Sequence, residues 1–201
     1  MKILSAEYLT TIVTPEKREF IKIPEVCFIG RSNVGKSSLI NRLVMRKIAR
    51  TSSTPGATKA INLFKIHYEF NELRKWVIFS DFPGFGYAKV SKSTYCSWES
   101  MINTYITKNP SIQRVTWIFD IRRDPDVLDK TVLEWIRHSQ IPFSIILTKS
   151  DKENRSFGLG KKDKLGKEFQ TNDIFIFSAK DGYGREGVLS HFFTTLIKKE
   201  I

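Results

Sequence analysis

Val26-Cys27-Phe28-Ile29-Gly30-Arg31-Ser32-Asn33-Val34-Gly35-Lys36-Ser37-Ser38-Leu39-Ile40 is the stretch on which the fold turns. Its first four residues read as a buried strand, and the residues from Ser37 to Met45 carry Leu39, Ile40, Leu43 and Val44 at helical spacing. Between them, Gly30 to Ser37 fits the pattern G-x-x-x-x-G-K-[ST]. A loop that joins a strand to a helix in this way aims its N–H groups at an anion, at the positive end of the helix dipole. Gly30 and Gly35 are expected to supply backbone torsions closed to other residues. Lys36 would then reach the β- and γ-phosphates of a nucleotide and the Ser37 hydroxyl a magnesium ion, with Arg31, Ser32, Asn33, Val34 and Ser38 lining the cradle. The bland alternative is a glycine-bearing turn with an exposed lysine, and the flanking strand and helix weigh against it.

The base is addressed much further along the chain. Thr148-Lys149-Ser150-Asp151 closes the apolar run Phe143-Ser144-Ile145-Ile146-Leu147 and therefore lies at the carboxyl end of a strand, where ligands bind in open α/β sheets. A carboxylate there accepts two hydrogen bonds from the N1–H and 2-amino group of guanine, a pair that adenine lacks, and the stem of Lys149 can cover the ring. Phe177-Ser178-Ala179-Lys180 ends another apolar run and offers the Ala179 N–H to guanine O6. Either segment alone reads equally well as a strand-end turn with solvated charges. Asp81-Phe82-Pro83-Gly84 follows the strand-like Trp76-Val77-Ile78-Phe79-Ser80, so Asp81 can hold magnesium through a water and the Gly84 N–H can meet the γ-phosphate. The segment from Arg50 to Thr58 lacks apolar periodicity and reads as a loop, in which Thr51, Thr54 or Thr58 could complete the metal shell; spacing does not choose among them.

Alternation of strand and helix patterns implies an α/β fold with a mostly parallel sheet covered on both faces. Strands are expected at 60–67, 76–80, 114–120, 142–147 and 173–178 beside the first, six in all, with helices at 94–108, 126–139 and 185–199. The break at Asn71-Glu72 predicts that the second and third strands form an antiparallel hairpin. At 201 residues and 41% hydrophobic content, one domain over 24–201 suffices, with 1–23 as an extension packed on or near it. Charged residues within the first twenty argue against a signal peptide or membrane span, and two distant cysteines, Cys27 and Cys96, fit a reduced, cytoplasmic chain.

In this order, the elements resemble the translation-factor-related P-loop GTPases of the TrmE-Era-EngA-EngB-septin group. The detailed wording resembles the bacterial EngB family, also called YihA or YsxC. The likeness is carried by Gly30 to Ser38, Thr51 to Thr58, Asp120-Ile121-Arg122, Thr148 to Asp151, and above all Asp81-Phe82-Pro83-Gly84-Phe85-Gly86-Tyr87-Ala88-Lys89-Val90. It implies the three-layer fold of those GTPases, GTP and GDP as ligands, and Thr58 as the second protein ligand of magnesium, beside Gly56 and Ala57. It also implies association with assembly of the large ribosomal subunit and with septation at cell division. That family carries Thr at position 148, where most wider relatives have Asn, and more often Leu and Tyr at positions 82 and 85. Many relatives place a water-orienting glutamine after the Asp-x-x-Gly turn, but Phe85 stands here and cannot orient a water. Slow intrinsic hydrolysis follows, on the order of 10⁻³ s⁻¹ or below, with Lys36, Thr58 and Gly84 as the catalytic set. Asn33 either holds potassium as a stand-in for an arginine finger, as in some relatives, or merely tolerates an unusual torsion.

The formal charge is +12, and no acidic residue falls between Glu25 and Glu69. Arg31, Lys36, Arg42, Arg46, Lys47, Arg50, Lys59 and Lys65 all lie in that interval. A second group, Lys149, Lys152, Arg155, Lys161, Lys162, Lys164 and Lys167, surrounds what reads as a glycine-rich turn at Gly158-Leu159-Gly160. Such a field attracts a polyanion, and the family resemblance favours RNA of a large-subunit precursor; no DNA partner is expected, and a monomer is. The alternatives are a solvated basic surface, a nucleotide-stabilised RNA-binding module in which turnover is incidental, and a P-loop phosphotransferase.

Overall fold

The computed structural model describes residues 1–15, 21–51, 60–86 and 92–198. In chain order its elements are β1 (Lys2–Ile12), β2 (Glu25–Gly30), α1 (Lys36–Val44), β3 (Ile61–Phe70), β4 (Leu73–Asp81), α2 (Lys92–Lys108), β5 (Ile112–Asp120), α3 (Val127–His138), β6 (Phe143–Thr148), α4 (Arg155–Glu168), β7 (Ile174–Ile176) and α5 (Arg185–Lys198). One sheet runs in the order β1-β3-β4-β2-β5-β6-β7. Its pairings are parallel from β4 to β7, and antiparallel only where β3 meets β4 and β1.

β2 lies at the centre because all six of its residues are buried. A parallel strand covered on both faces reads as a continuous apolar run. Cys27 and Ile29 face one core, built with Ile102, Tyr105 and Ile106 of α2, Val132, Leu133 and Ile136 of α3 and Leu165 of α4. Val26 and Phe28 face the other, filled by Leu39, Ile40, Leu43 and Val44 of α1 and by Val188, Leu189, Phe192, Phe193 and Leu196 of α5. The result is the expected three-layer α/β sandwich. At Asn71 and Glu72 the chain takes φ of 49° and 65°, two successive left-handed residues of the kind a tight hairpin requires, and β3 and β4 pair antiparallel around them.

The strand count differs from the six expected: β1 adds a seventh at the edge. Residues 1–23, expected as an extension, thus contribute a strand to the same sheet. Its pairing with β3 shifts register between Ile3 and Ser5 and again between Tyr8 and Thr10. Each shift breaks the period of two, so apolar residues fall on neither face consistently and the pattern is lost in the sequence. The other correction is α4. The glycine-rich segment at Gly158-Leu159-Gly160 is helical, capped by Asn154, whose side chain accepts from the Phe157 N–H. Its buried positions are Gly158, Lys161 and Leu165, a helical stripe in which only Leu165 carries a large apolar side chain.

Candidate functional site: a nucleotide cradle at the carboxyl rim of the sheet

Gly30 ends β2, Asp81 ends β4, Asp120 ends β5 and Thr148 ends β6, so the segments that follow these strands emerge on one rim of the sheet. The loop after β2 turns through Asn33 and Gly35, at φ of 60° and 105°, before α1 begins. Gly35 gives α1 no side-chain cap and the first turn holds no acidic residue, which leaves the N-terminal N–H groups for an external anion. Gly30 needs correction: its φ is not left-handed, and it is glycine because a Cβ would lie 2.6 Å from the Ile118 carbonyl oxygen of β5.

Lys36 is buried, its Nζ 3.5 Å from the carbonyl oxygens of Gly30 and Arg31. Burial pushes its pKa down and nearby Asp81 pulls it partly back. Asp81 is raised by burial, against the pull of Lys36 and of the Ser37 hydroxyl. Ser37 Oγ donates to Asp81 Oδ2 at 2.7 Å, whereas Asp81 Oδ1 is buried without a hydrogen-bond partner. A hydroxyl and an under-satisfied carboxylate side by side, next to phosphate-binding N–H groups, suit a hard divalent cation that keeps waters and phosphate oxygens as its other ligands. Among the described residues no cluster of three or more His, Cys, Asp or Glu offers a different metal site.

Residues 84 and 85 lie on the phosphate loop itself. A Cβ on Gly84 would fall 2.7 Å from Ser32 Cα, and the Ser32 hydroxyl donates to the Gly84 carbonyl at 3.3 Å. Phe85 exchanges backbone hydrogen bonds with Ser32 and Gly30. Phe82 is buried against Tyr105, ring edge to face, and Pro83 joins it to Gly84. Gly56, Ala57 and Thr58, with Thr54 and the run from Tyr87 to Val90, lie outside the described residues.

At the other end of the rim, the Thr148 hydroxyl sits 2.7 Å from the Val34 carbonyl oxygen and 3.1 Å from that of Phe119. Lys149, at φ 62°, donates from Nζ to the Asn33 carbonyl at 2.8 Å and pairs with Asp120 at 3.0 Å. The Ser150 N–H donates to the Phe177 carbonyl, and Ser178 Oγ to Asp151 Oδ1 at 3.2 Å. Arg42, one turn along α1 from Ser38 on the same face, donates to the carbonyls of Ala179 and Lys180. The phosphate loop, Thr148 to Asp151 and Phe177 to Lys180 are therefore one hydrogen-bonded unit.

A family model described as a 50S ribosome-binding GTPase matches residues 25–149. A protein of Thermoanaerobacter pseudethanolicus, named a probable GTP-binding protein EngB, is 37% identical over 195 residues, covering 96% of this chain and 98% of that protein. Its namesake in Desulfatibacillum aliphaticivorans is 40% identical, covering 92% and 89%. The chain belongs to the EngB family of GTP-binding proteins. EngB proteins are GTPase-family members, and GTP and GDP are accordingly ligands of this chain. A crystal structure of a probable GTP-binding protein EngB superposes with a TM-score of 0.63 at 22% identity, covering 87% of this chain and 99% of that one. Aquifex aeolicus Era bound to GDP and aluminium fluoride superposes at 0.73, also at 22% identity, covering 87% and 57%. Both likenesses concern the fold.

Sequence reasoning missed the support behind the loop. Arg31 pairs with Asp129 at 3.0 Å and with Asp126, and it lies over the Phe85 ring at 5.8 Å. Asp126 and Asp129 form a capping box at the start of α3, and an acidic residue followed three positions on by another before an apolar run was the available signal. Asp120, quoted above for the family likeness, was given no role. Burial pushes its carboxyl up, yet hydrogen bonds from Arg122 and Lys149 outweigh this and hold it down at about 2.

Proposed function

We propose that this EngB-family protein is a GTP-driven switch with a slow hydrolytic timer that acts in assembly of the large ribosomal subunit, and through it in septation and cell division, in the cytoplasm. One observation carries the nucleotide part: Thr148 and Lys149 bond the Val34 and Asn33 carbonyls, which fixes the base segment against the phosphate loop. In this reading, N–H groups of the loop and Lys36 bind the β- and γ-phosphates, and Asp151 and Ala179 read guanine. Ser37 and Asp81, with Thr58, hold magnesium, which neutralises charge on the phosphates when bound. Gly84 reports the γ-phosphate, so its loss releases the loops around 50–58 and 84–92.

Phe85 is buried and carries no group that could orient water, which supports a slow intrinsic rate. Asn33 is the proposed potassium ligand; its left-handed torsion fits the other reading of that residue equally well. Equal single-turnover rates in potassium and sodium would remove that ligand from the scheme. The ribosomal part draws on the family description as a 50S ribosome-binding GTPase. Calorimetry on Asp151→Asn tests the base assignment: GTP affinity should fall at least 100-fold with the fold intact, because a mismatched edge leaves buried polar groups unpaired. Full affinity in that variant would refute guanine recognition by Asp151. Co-sedimentation with large-subunit precursors tests the partner.

A further inference from the structure

A groove of about 1330 Å³ runs beside α1, from Ser38 and Ala179 at the nucleotide rim to Arg46 at its far end. Five cations line it, Arg42, Arg46, Lys47, Arg50 and Lys180, and among the described residues that line it none is a carboxylate. Arg42 and Arg46 donate to backbone carbonyls, of Ala179, Lys180 and Leu4, which carry no net charge, and Asp181, the carboxylate that feels Arg42, does not line the groove. The cations stand on a fixed frame. α1 ends at Met45, whose φ of 55° throws Arg46 and Lys47 outward. Asn41 then clamps the following turn, accepting from the N–H groups of Ile48 and Ala49 and donating to the Ala49 carbonyl at 2.8 to 2.9 Å. Little ordering is left to occur when a ligand arrives.

We infer that this groove seats the sugar-phosphate backbone of a single RNA strand. The inference rests on the proposed RNA partner and adds its place on the molecule. Concavity and uncompensated cations match a tracked backbone. On the opposite wall Thr11 Oγ1 donates to Asn62 Oδ1, which leaves the Asn62 amide nitrogen as a donor for phosphate or ribose oxygens. A lipid surface would call for several exposed apolar side chains, and among the described residues that line the groove Met45 is the one large apolar side chain that is exposed. The lining includes both Ala179 and Lys180, from the segment proposed to face guanine, and Arg50 and Thr51, so occupancy by RNA would bear on the switch.

Fluorescence anisotropy with a labelled 20-nucleotide single-stranded RNA and the GDP-loaded full chain tests this. Arg46→Ala/Lys47→Ala/Arg50→Ala should bind about 100-fold more weakly near 0.1 M salt, with a salt slope shallower by about 2, the loss of three single-strand phosphate contacts. GDP affinity should stay unchanged, which also verifies folding. Arg155→Ala/Lys162→Ala/Lys167→Ala removes equal charge from α4 and should lose less than about threefold. Equal losses in the two variants, or none in the first, overturn the groove and leave the RNA partner standing. Failure of the unmodified protein to bind the RNA overturns both, whether or not anionic vesicles or polyglutamate capture it.

Discussion

On the α1 side, Arg46, Lys47 and Arg50 make no ion pair among the described residues and Arg42 acts on Asp181 only from beyond ion-pair distance, whereas on the α3–α4 side six cations are paired. There Arg31, Arg122, Arg123, Lys149, Lys161 and Lys164 each approach Asp120, Asp124, Asp126 or Asp129 within ion-pair distance. The two regions look alike in composition and differ in what their charge does. Paired cations hold loops in place: Lys149 ties the base segment to Asn33, and Lys161, though buried, reaches Asp124 at 2.8 Å. Unpaired cations keep their field for something outside the chain. A count of lysines and arginines measures neither role, because pairing depends on which aspartates the fold brings near.

The sharpest way to break this contrast is Lys36→Ala. Lys36 is a buried cation that makes no close ion pair among the described residues, so its charge should serve the ligand. GTP affinity by calorimetry is expected to drop more than 100-fold, while stability in a denaturant titration stays within about 1 kcal/mol. Retained binding with a large loss of stability would move Lys36 to the structural class.

Asp120→Asn probes the paired side. Its carboxyl is held at about 2, below the unfolded value of about 3.9, so its stabilisation is complete above pH 4 and is lost as pH falls towards 2. At pH 7 the variant should be about 2 kcal/mol less stable, and it should lose less stability than the parent chain between pH 4 and pH 2. Parallel curves for the two proteins would mean that the ion pairs contribute nothing.

Asp124→Asn carries the smallest expected effect and tests the contrast most directly. It releases Lys161 and Lys164 from their partner, so α4 gains free charge. RNA affinity should rise about two- to threefold at low salt, and the gain should vanish as salt is added. No change would indicate that pairing does not decide which cations attract RNA.

Much of the cradle was legible because it is local. Gly30 to Ser37 is contiguous, its flanks announce a strand and a helix, and the strand ends at Asp81 and Thr148 follow from apolar runs that stop. β1 was not legible, since an edge strand with two register shifts carries no steady alternation, and α4 was hidden by its own glycines and lysines. Gly30 was read for its torsion but is required by the approach of Ile118, a residue 88 positions away.

By itself the sequence determined the elements other than β1 and α4, the residues of the loop and the side of the sheet on which they emerge, because each depends on residues a few positions apart. Only the tertiary structure decided that Lys149 bonds Asn33, that Arg31 is held by α3, and that Lys149, Lys161 and Lys164 meet aspartates while Arg42, Arg46, Lys47 and Arg50 line a groove with no carboxylate among its described residues. Those outcomes depend on distances between side chains far apart in the chain. Electrostatic and hydrogen-bond energies fall off over a few ångströms in space and are indifferent to separation in sequence.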